Sequence, residues 1–275
     1  MREFRYVASD AVLRFHDLPQ DGTGGAVVVF LHGLGSASSC VFPRVAADPV
    51  LAARRSLLVD LLGFGYSDRP ERFSYSLDDH AAAVAALLDA EGLAGCCVVG
   101  HSMGGTIAIV LAAARPDLVG GLLVAEPNLD SNGGDPSSSI AAQDEAAYVA
   151  KGHAAVVARF SADRRAVGYA ATLRVASPVA MHRSARGLLV PREPSAGALL
   201  HGLSIPRTLA IGGDNLPYPD ATPARAAGVE IAVLPNTGHN LMVEDPPGFA
   251  AAVAAVAAAV DTAAAVDAAH ADAPR

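Results

Sequence analysis

Residues 96–107 read CCVVGHSMGGTI, an apolar run that breaks into glycine, histidine and serine and resumes as a small-residue helical pattern. Gly100-His101-Ser102-Met103-Gly104 fits G-x-S-x-G, and the flanking run and helix supply the strand, turn and helix in which that motif acquires meaning. Small residues suit the turn because the chain must reverse sharply, leaving the serine strained with its hydroxyl above the sheet edge. Gly104 and Gly105 let neighbouring backbone pass close by. Ser102 is therefore the candidate nucleophile.

Outward from this stretch, further apolar runs lie at 26–31 (AVVVFL), 56–60 (SLLVD), 121–126 (GLLVAE), 207–211 (RTLAI) and 230–234 (EIAVL). Their near-continuous apolar character suits strands buried on both faces. Between them, 76–90 has helical spacing, with Leu77, Val84, Leu87 and Leu88 on one side and Asp78 and Asp79 in the first turn. Residues 103–114 are small and apolar until Pro116 ends the pattern. Strand and helix alternating in this way predict an α/β fold, a mainly parallel sheet covered by helices. The rhythm breaks at 128–203, which opens on the turn-rich NLDSNGGDPSSS and continues as short helical pieces punctuated by Pro178, Pro191 and Pro194. We read this as a helical cap inserted between two parts of one core, 1–127 and 204–262, with 263–275 a flexible tail.

The chain's 275 residues are enough for one substantial core. Hydrophobic residues make up 52%, but much of the excess is alanine, which contributes little transfer energy. The stretch 250–266 is interrupted by Asp261 and reads as an amphipathic helix, not a membrane span. MREFRYVASD at the start has no apolar stretch of the kind a secretory signal needs, so a cytoplasmic location is expected. Three cysteines, two adjacent on a candidate strand, read as small apolar fillers and not as a disulfide or metal framework. A net charge of −8 without a basic cluster argues against nucleic acid. Gly22-Thr23-Gly24-Gly25 precedes a strand with no helix behind it and reads as a turn, so no cofactor and no metal are expected. The expected partner is a small-molecule substrate, with no nucleic acid and no membrane; a homodimer is left open.

A serine hydroxyl is a weak nucleophile until a base accepts its proton. Of nine histidines, His239 sits in Asn236-Thr237-Gly238-His239-Asn240, a loop just after the last apolar run. That is where a sheet enzyme can present a base. His101 adjoins the serine but is expected to face away along the turn, and His153, His182 and His201 lie in the cap.

His32-Gly33-Leu34-Gly35, 60–67 (DLLGFGYS), GHSMGG and GHN…EDPPGF occur in this order along nearly the whole chain. The chain thereby resembles the α/β-hydrolase superfamily. The resemblance implies a mostly parallel eight-stranded sheet flanked by helices, with a helical cap. It also implies an oxyanion hole made by the backbone N–H groups of Leu34 and Met103, with His32 bracing the loop. The acid that orients the base is less conventional. Most members carry an aspartate after the seventh strand, where this chain has Leu216 at the usual position and Asp214 displaced toward the strand end. Glu126 instead closes the sixth strand, where many haloalkane dehalogenases keep their acid. Glu126 is the favoured acid, Asp214 the alternative and Asp130 a third candidate.

The expected function is a serine hydrolase that cleaves a small-molecule carboxylic ester or lactone through an acyl-enzyme on Ser102, with His239 as general base. Serine at the elbow excludes dehalogenase and epoxide-hydrolase chemistry that relies on a carboxylate nucleophile. Amide, thioester and carbon–carbon bond hydrolysis share the same triad and stay open, as do a non-catalytic small-ligand receptor and a lyase on this scaffold. Specificity is expected in the cap, where Tyr148, His153, Phe160, Tyr169 and Met181 line a pocket or form the cap's own core.

Overall fold

A computed structural model describes residues 1–19, 24–130 and 134–271, with side chains to 266. Eight strands form one sheet: β1 (Arg2–Tyr6), β2 (Ala11–Leu18), β3 (Val28–Leu31), β4 (Ser56–Asp60), β5 (Cys96–His101), β6 (Val119–Ala125), β7 (Arg207–Gly212) and β8 (Glu230–Leu234). Their spatial order is β1-β2-β4-β3-β5-β6-β7-β8. The pairs β1/β2 and β2/β4 are antiparallel, and every other pair is parallel. The parallel strands β3 to β6 are almost wholly buried, as their unbroken apolar runs require.

The antiparallel hairpin β1/β2 goes beyond the six strands read from apolar runs. In β2 the residues alternate, with Ala11, Leu13 and Phe15 buried and their neighbours half-buried. One face of this pair meets the core and the other meets solvent, so the sequence pattern has period two and lacks a continuous run.

Helix Leu77–Ala90 starts where Ser76 accepts a hydrogen bond from the N–H of Asp79, and it buries Leu77, Val84, Leu87 and Leu88. Helix Met103–Ala114 is buried along nearly its whole length beside β5 and β6. Cys96 and Cys97 are fully buried in β5, and burial pushes their thiols up to about 11 and about 12, as suits packing groups.

The C-terminal helix Pro246–Ala271 lays Phe249, Ala250, Val253, Val256, Ala257 and Val260 against the sheet. Asp261 ties it down, accepting from the Ala26 N–H at 2.7 Å and from Arg54 at 2.6 Å. By length and composition Pro246–Val266 is also apolar enough to cross a membrane, although this stripe packs on the protein's own sheet. The helix runs on to Ala271, into the stretch from 263 expected as a tail. Ala263, Ala264 and Ala265 are strong helix formers and extend it without tertiary packing. Residues 272–275 lie outside the described chain, as do Gly22 and Thr23 of the glycine-rich turn and Ser131–Gly133 of the cap's opening.

Between β6 and β7 the chain leaves the sheet for a set of helices, among them His153–Ser161, Val167–Val175, Pro178–Leu189 and Ala196–Gly202. Tyr148, Leu173, Met181 and Leu188 are buried within or beneath this excursion. Arg183 fastens it to the body, donating to the carbonyls of Glu71 and Phe73 and pairing with Glu145. His153 holds two helices of this excursion together, Nδ1 lying 3.1 Å from the Tyr148 hydroxyl and Nε2 3.1 Å from the Leu173 carbonyl.

Candidate active site

Parallel strands that end at one edge set their following residues side by side. His101 pairs with Ala125, Ala125 with Ala210, and Gly212 with Leu234. Ser102, Glu126, Gly213 and the loop carrying His239 therefore emerge next to one another, adjacent strands being about 4.8 Å apart.

Ser102 has φ 51° and ψ −119°, a conformation costly for any residue with a side chain. It is held because its N–H donates to the Ala125 carbonyl at 2.9 Å and because glycines clear the space around it. A Cβ on Gly104 would stand 2.3 Å from the Leu31 carbonyl oxygen and 2.5 Å from that of His32. Among the described residues the Ser102 hydroxyl forms no hydrogen bond.

The three candidate carboxylates occupy different surroundings. Glu126, just past β6 at φ 44°, is buried and has an oxygen (Oε2) 2.7 Å from His239 Nδ1. Its other oxygen accepts from the Gly212 N–H at 2.9 Å and from Asn215 Nδ2 at 2.7 Å. Burial alone would push its pKa up, but the hydrogen bonds from His239, Asn215 and Gly212 outweigh it and leave the carboxyl below the usual range. An ionised carboxylate only accepts, so Nδ1 of His239 carries the proton and Nε2 of the half-exposed ring is left with a free lone pair. Asp214 is exposed; its N–H donates to the Thr237 carbonyl, while among the described residues its side chain makes no bond to His239. Asp130 is exposed as well.

The loop that carries His239 is clamped at several points. Thr237 is buried and its hydroxyl donates to the Leu234 carbonyl, while the Gly238 N–H donates to Glu244. His101 does not face away as expected. Its ring centroid lies 4.6 Å from that of His239, and its Nε2 is 2.8 Å from the His239 carbonyl oxygen.

Leu34 and Met103 are both buried, and neither backbone N–H donates to another described residue. His32 supports that loop: its Nε2 accepts from the Leu61 N–H at 3.0 Å, so its Nδ1 is the donor to the Gly33 carbonyl at 2.8 Å. Burial depresses its pKa and keeps it neutral. The helical excursion reaches the same loop through Tyr169, whose hydroxyl donates to the Leu34 carbonyl at 3.0 Å. Tyr169, Leu173 and Met181 surround Gly35, which sits at φ 72°. Of the cap residues singled out from the sequence, Tyr148 and Met181 are buried, and Phe160 meets Tyr169 edge to face at 4.9 Å. Two open surface clefts, one at Tyr6–Asp10 and one along β8, contain none of the candidate site residues.

The sequence reading missed Asn215, His101 and Tyr169 as supports of this site. Asn215 could have been found, since it stands in the turn searched for an acid; the two others show their roles only in three dimensions.

A family model described as the alpha/beta hydrolase fold matches residues 26–174, more than half of the chain. The chain belongs to the α/β-hydrolase fold family. Within it, lipase LipV of Mycobacterium tuberculosis is 46% identical over 74 residues, 27% of this chain and 28% of that protein. The 2-hydroxymuconate semialdehyde hydrolase of a Pseudomonas species is 36% identical over 103 residues, 36% of this chain and 35% of that one. This α/β-hydrolase chain thus aligns with about a third of the length of these relatives. In three dimensions it resembles a thermophilic esterase from Thermogutta terrifontis with a TM-score of 0.77 at 20% identity, covering 94% of this chain and 98% of that one. The enol-lactonase of Burkholderia xenovorans superposes with a TM-score of 0.74 at 18% identity, over 93% and 99% of the two chains. At such identities the likeness speaks for the fold.

Proposed function

We propose that this protein is a serine hydrolase of small carboxylic esters or lactones, acting through an acyl-enzyme on Ser102. The observation that carries the reading is the 2.7 Å contact between His239 Nδ1 and the buried Glu126, beside a serine held at positive φ. Glu126 fixes the imidazole tautomer, so Nε2 accepts the Ser102 proton as the oxygen attacks the substrate carbonyl. The negative charge that develops on the carbonyl oxygen is met by the N–H groups of Leu34 and Met103, each such donor contributing about 3 kcal/mol to transition-state stability. His239 then returns the proton to the departing alkoxide, which for a lactone stays tethered to the acyl group. In the second half-reaction water gives a proton to Nε2 and attacks the acyl carbon, and His239 passes that proton to the departing Ser102 oxygen, releasing the acid and restoring the hydroxyl. Glu126, held below the ordinary carboxylate range, stays ionised and stabilises the imidazolium in both halves. The cap, through Tyr148, His153, Phe160, Tyr169 and Met181, is assigned the selection of substrate.

Labelling with a fluorophosphonate followed by peptide mapping tests the class, and turnover of p-nitrophenyl acetate and a lactone panel tests the substrate. Modification at Ser102 with repeated turnover is expected. Labelling elsewhere, or a single covalent event without turnover, refutes the reading and favours a ligand receptor. A second reading, hydrolysis of a carbon–carbon bond, draws support from the similarity to 2-hydroxymuconate semialdehyde hydrolase. Turnover of a vinylogous 1,5-diketone with no ester turnover would select it.

A further inference from the structure

His101 has no place in the triad, yet its side chain is buried at the point where three chain segments meet. Its Nε2 lies 2.8 Å from the backbone carbonyl oxygen of His239, and the two rings are 4.6 Å apart. On its other side Nδ1 faces Gly33, where an added Cβ would come within 2.9 Å of Nδ1 and 3.3 Å of Ser102 Cβ. A carbonyl only accepts, so Nε2 must carry the ring proton. Burial pushes His101 well below the usual histidine range, so it stays neutral when its neighbour is charged.

We infer that His101 is a positioning residue, which fixes the backbone of His239 to the nucleophile turn so that imidazole and Ser102 move as one unit. The need is physical. His239 is half-exposed and carried by a loop, and Glu126 holds only its Nδ1 edge. One hydrogen bond at Nδ1 leaves the ring free to swing about that contact. A second restraint at the residue's own carbonyl, anchored one residue from the nucleophile, removes that freedom. The loop's other clamps, the Thr237 hydroxyl, Glu244 and the Asp214 N–H on the Thr237 carbonyl, connect it to β8, to the segment after it and to the turn after β7, and none of them connects it to Ser102.

This rests on the reading of Ser102 and His239 given above, and the variants separate the two. His101→Phe keeps an aromatic ring against that of His239 and removes the donor. His101→Asn keeps polarity, but its amide is too short to reach the carbonyl. His101→Gln places an amide N–H where Nε2 stood. For p-nitrophenyl acetate, kcat should fall about 10- to 100-fold in His101→Phe and His101→Asn, with KM within about twofold. His101→Gln should recover most of the loss, and all three should melt close to the wild type. A readout independent of catalysis is the far-downfield proton resonance of His239 Nδ1–H, assigned by its disappearance in Glu126→Gln. It should broaden in His101→Phe and persist in His101→Gln. Wild-type kcat and an unbroadened resonance in both donor-free variants would overturn the inference, as would a His101→Gln as impaired as His101→Phe. A wild type that neither turns over nor labels at Ser102 would refute the hydrolase reading, and the resonance would still decide what His101 does.

Discussion

Replacing Glu126 with glutamine tests the site at its least conventional point. The substitution keeps shape and leaves an oxygen to accept from the Gly212 N–H and from Asn215. What changes is the atom facing His239, where an acceptor 2.7 Å from Nδ1 becomes an amide NH₂. Two donors cannot face each other, so the imidazole moves its proton to Nε2 and presents an N–H to Ser102. That tautomer cannot receive the hydroxyl proton. Losing a triad acid in this way lowers turnover about 10⁴-fold, equivalent to ~5 kcal/mol of barrier. Stability should change far less, by about 1–2 kcal/mol, since a charge-assisted hydrogen bond is replaced and no buried donor is stranded. The assay is steady-state hydrolysis of p-nitrophenyl acetate by purified Glu126→Gln and Asp214→Asn in parallel, with thermal melts of both. Asp214 is exposed, so its variant should stay within about twofold of wild type. Full activity in Glu126→Gln, or inactivity confined to Asp214→Asn, would refute the assignment.

Ser102→Gly should abolish turnover and raise the melting temperature, because glycine relieves the strain at φ 51° and regains about 1 kcal/mol; calorimetry showing a lower melting temperature would contradict this. Gly104→Ala should yield little folded protein, since its Cβ would stand 2.3 Å from a backbone oxygen that cannot withdraw; recovery of soluble, active enzyme would count against the packing described. Tyr169→Phe removes the hydrogen bond to the Leu34 carbonyl and should lower kcat by about tenfold, equivalent to ~1.4 kcal/mol, with little effect on melting. Unchanged kcat would separate the cap from the oxyanion loop. Asp17 is held below the usual range, first by the hydrogen bond from Arg55 and further by Arg2, against the opposing effect of burial. Its ionised form therefore stabilises the fold above the unfolded-state pKa, and this contribution is lost as pH falls through the depressed folded value. Asp17→Asn should accordingly be less stable than wild type near neutrality and converge with it in acid, as urea titrations at several pH values would show; a gap that persists in acid would refute the linkage.

The central strands were legible because burial on both faces leaves no room for polar residues, and apolar runs such as CCVVG and GLLVA record that directly. The hairpin β1/β2 was harder to see because a strand with one wet face carries only an alternating pattern, and Arg2 and Arg5 mask it. The candidates Ser102 and Glu126 could be picked out from the strand ends they follow. His239 was reachable by asking which loop a neighbouring strand delivers. The remaining supports are matters of distance. Nothing in GHSMG says that its histidine turns toward a carbonyl 138 positions away, or that Tyr169 reaches back to Leu34. The length of the C-terminal helix was hard to read because alanine continues a helix without contributing a packing pattern.

The position of Glu126 bears on how such a chain can be recombined. The candidate nucleophile Ser102, the candidate acid Glu126 and the proposed oxyanion donors Leu34 and Met103 precede the excursion, and the candidate base His239 follows it. A chimaera that exchanges the excursion as a cassette would keep these groups on their own strands, and a crossover inside it would inherit everything but the imidazole from one parent. Diversification of substrate choice can therefore proceed without renegotiating where the charges sit.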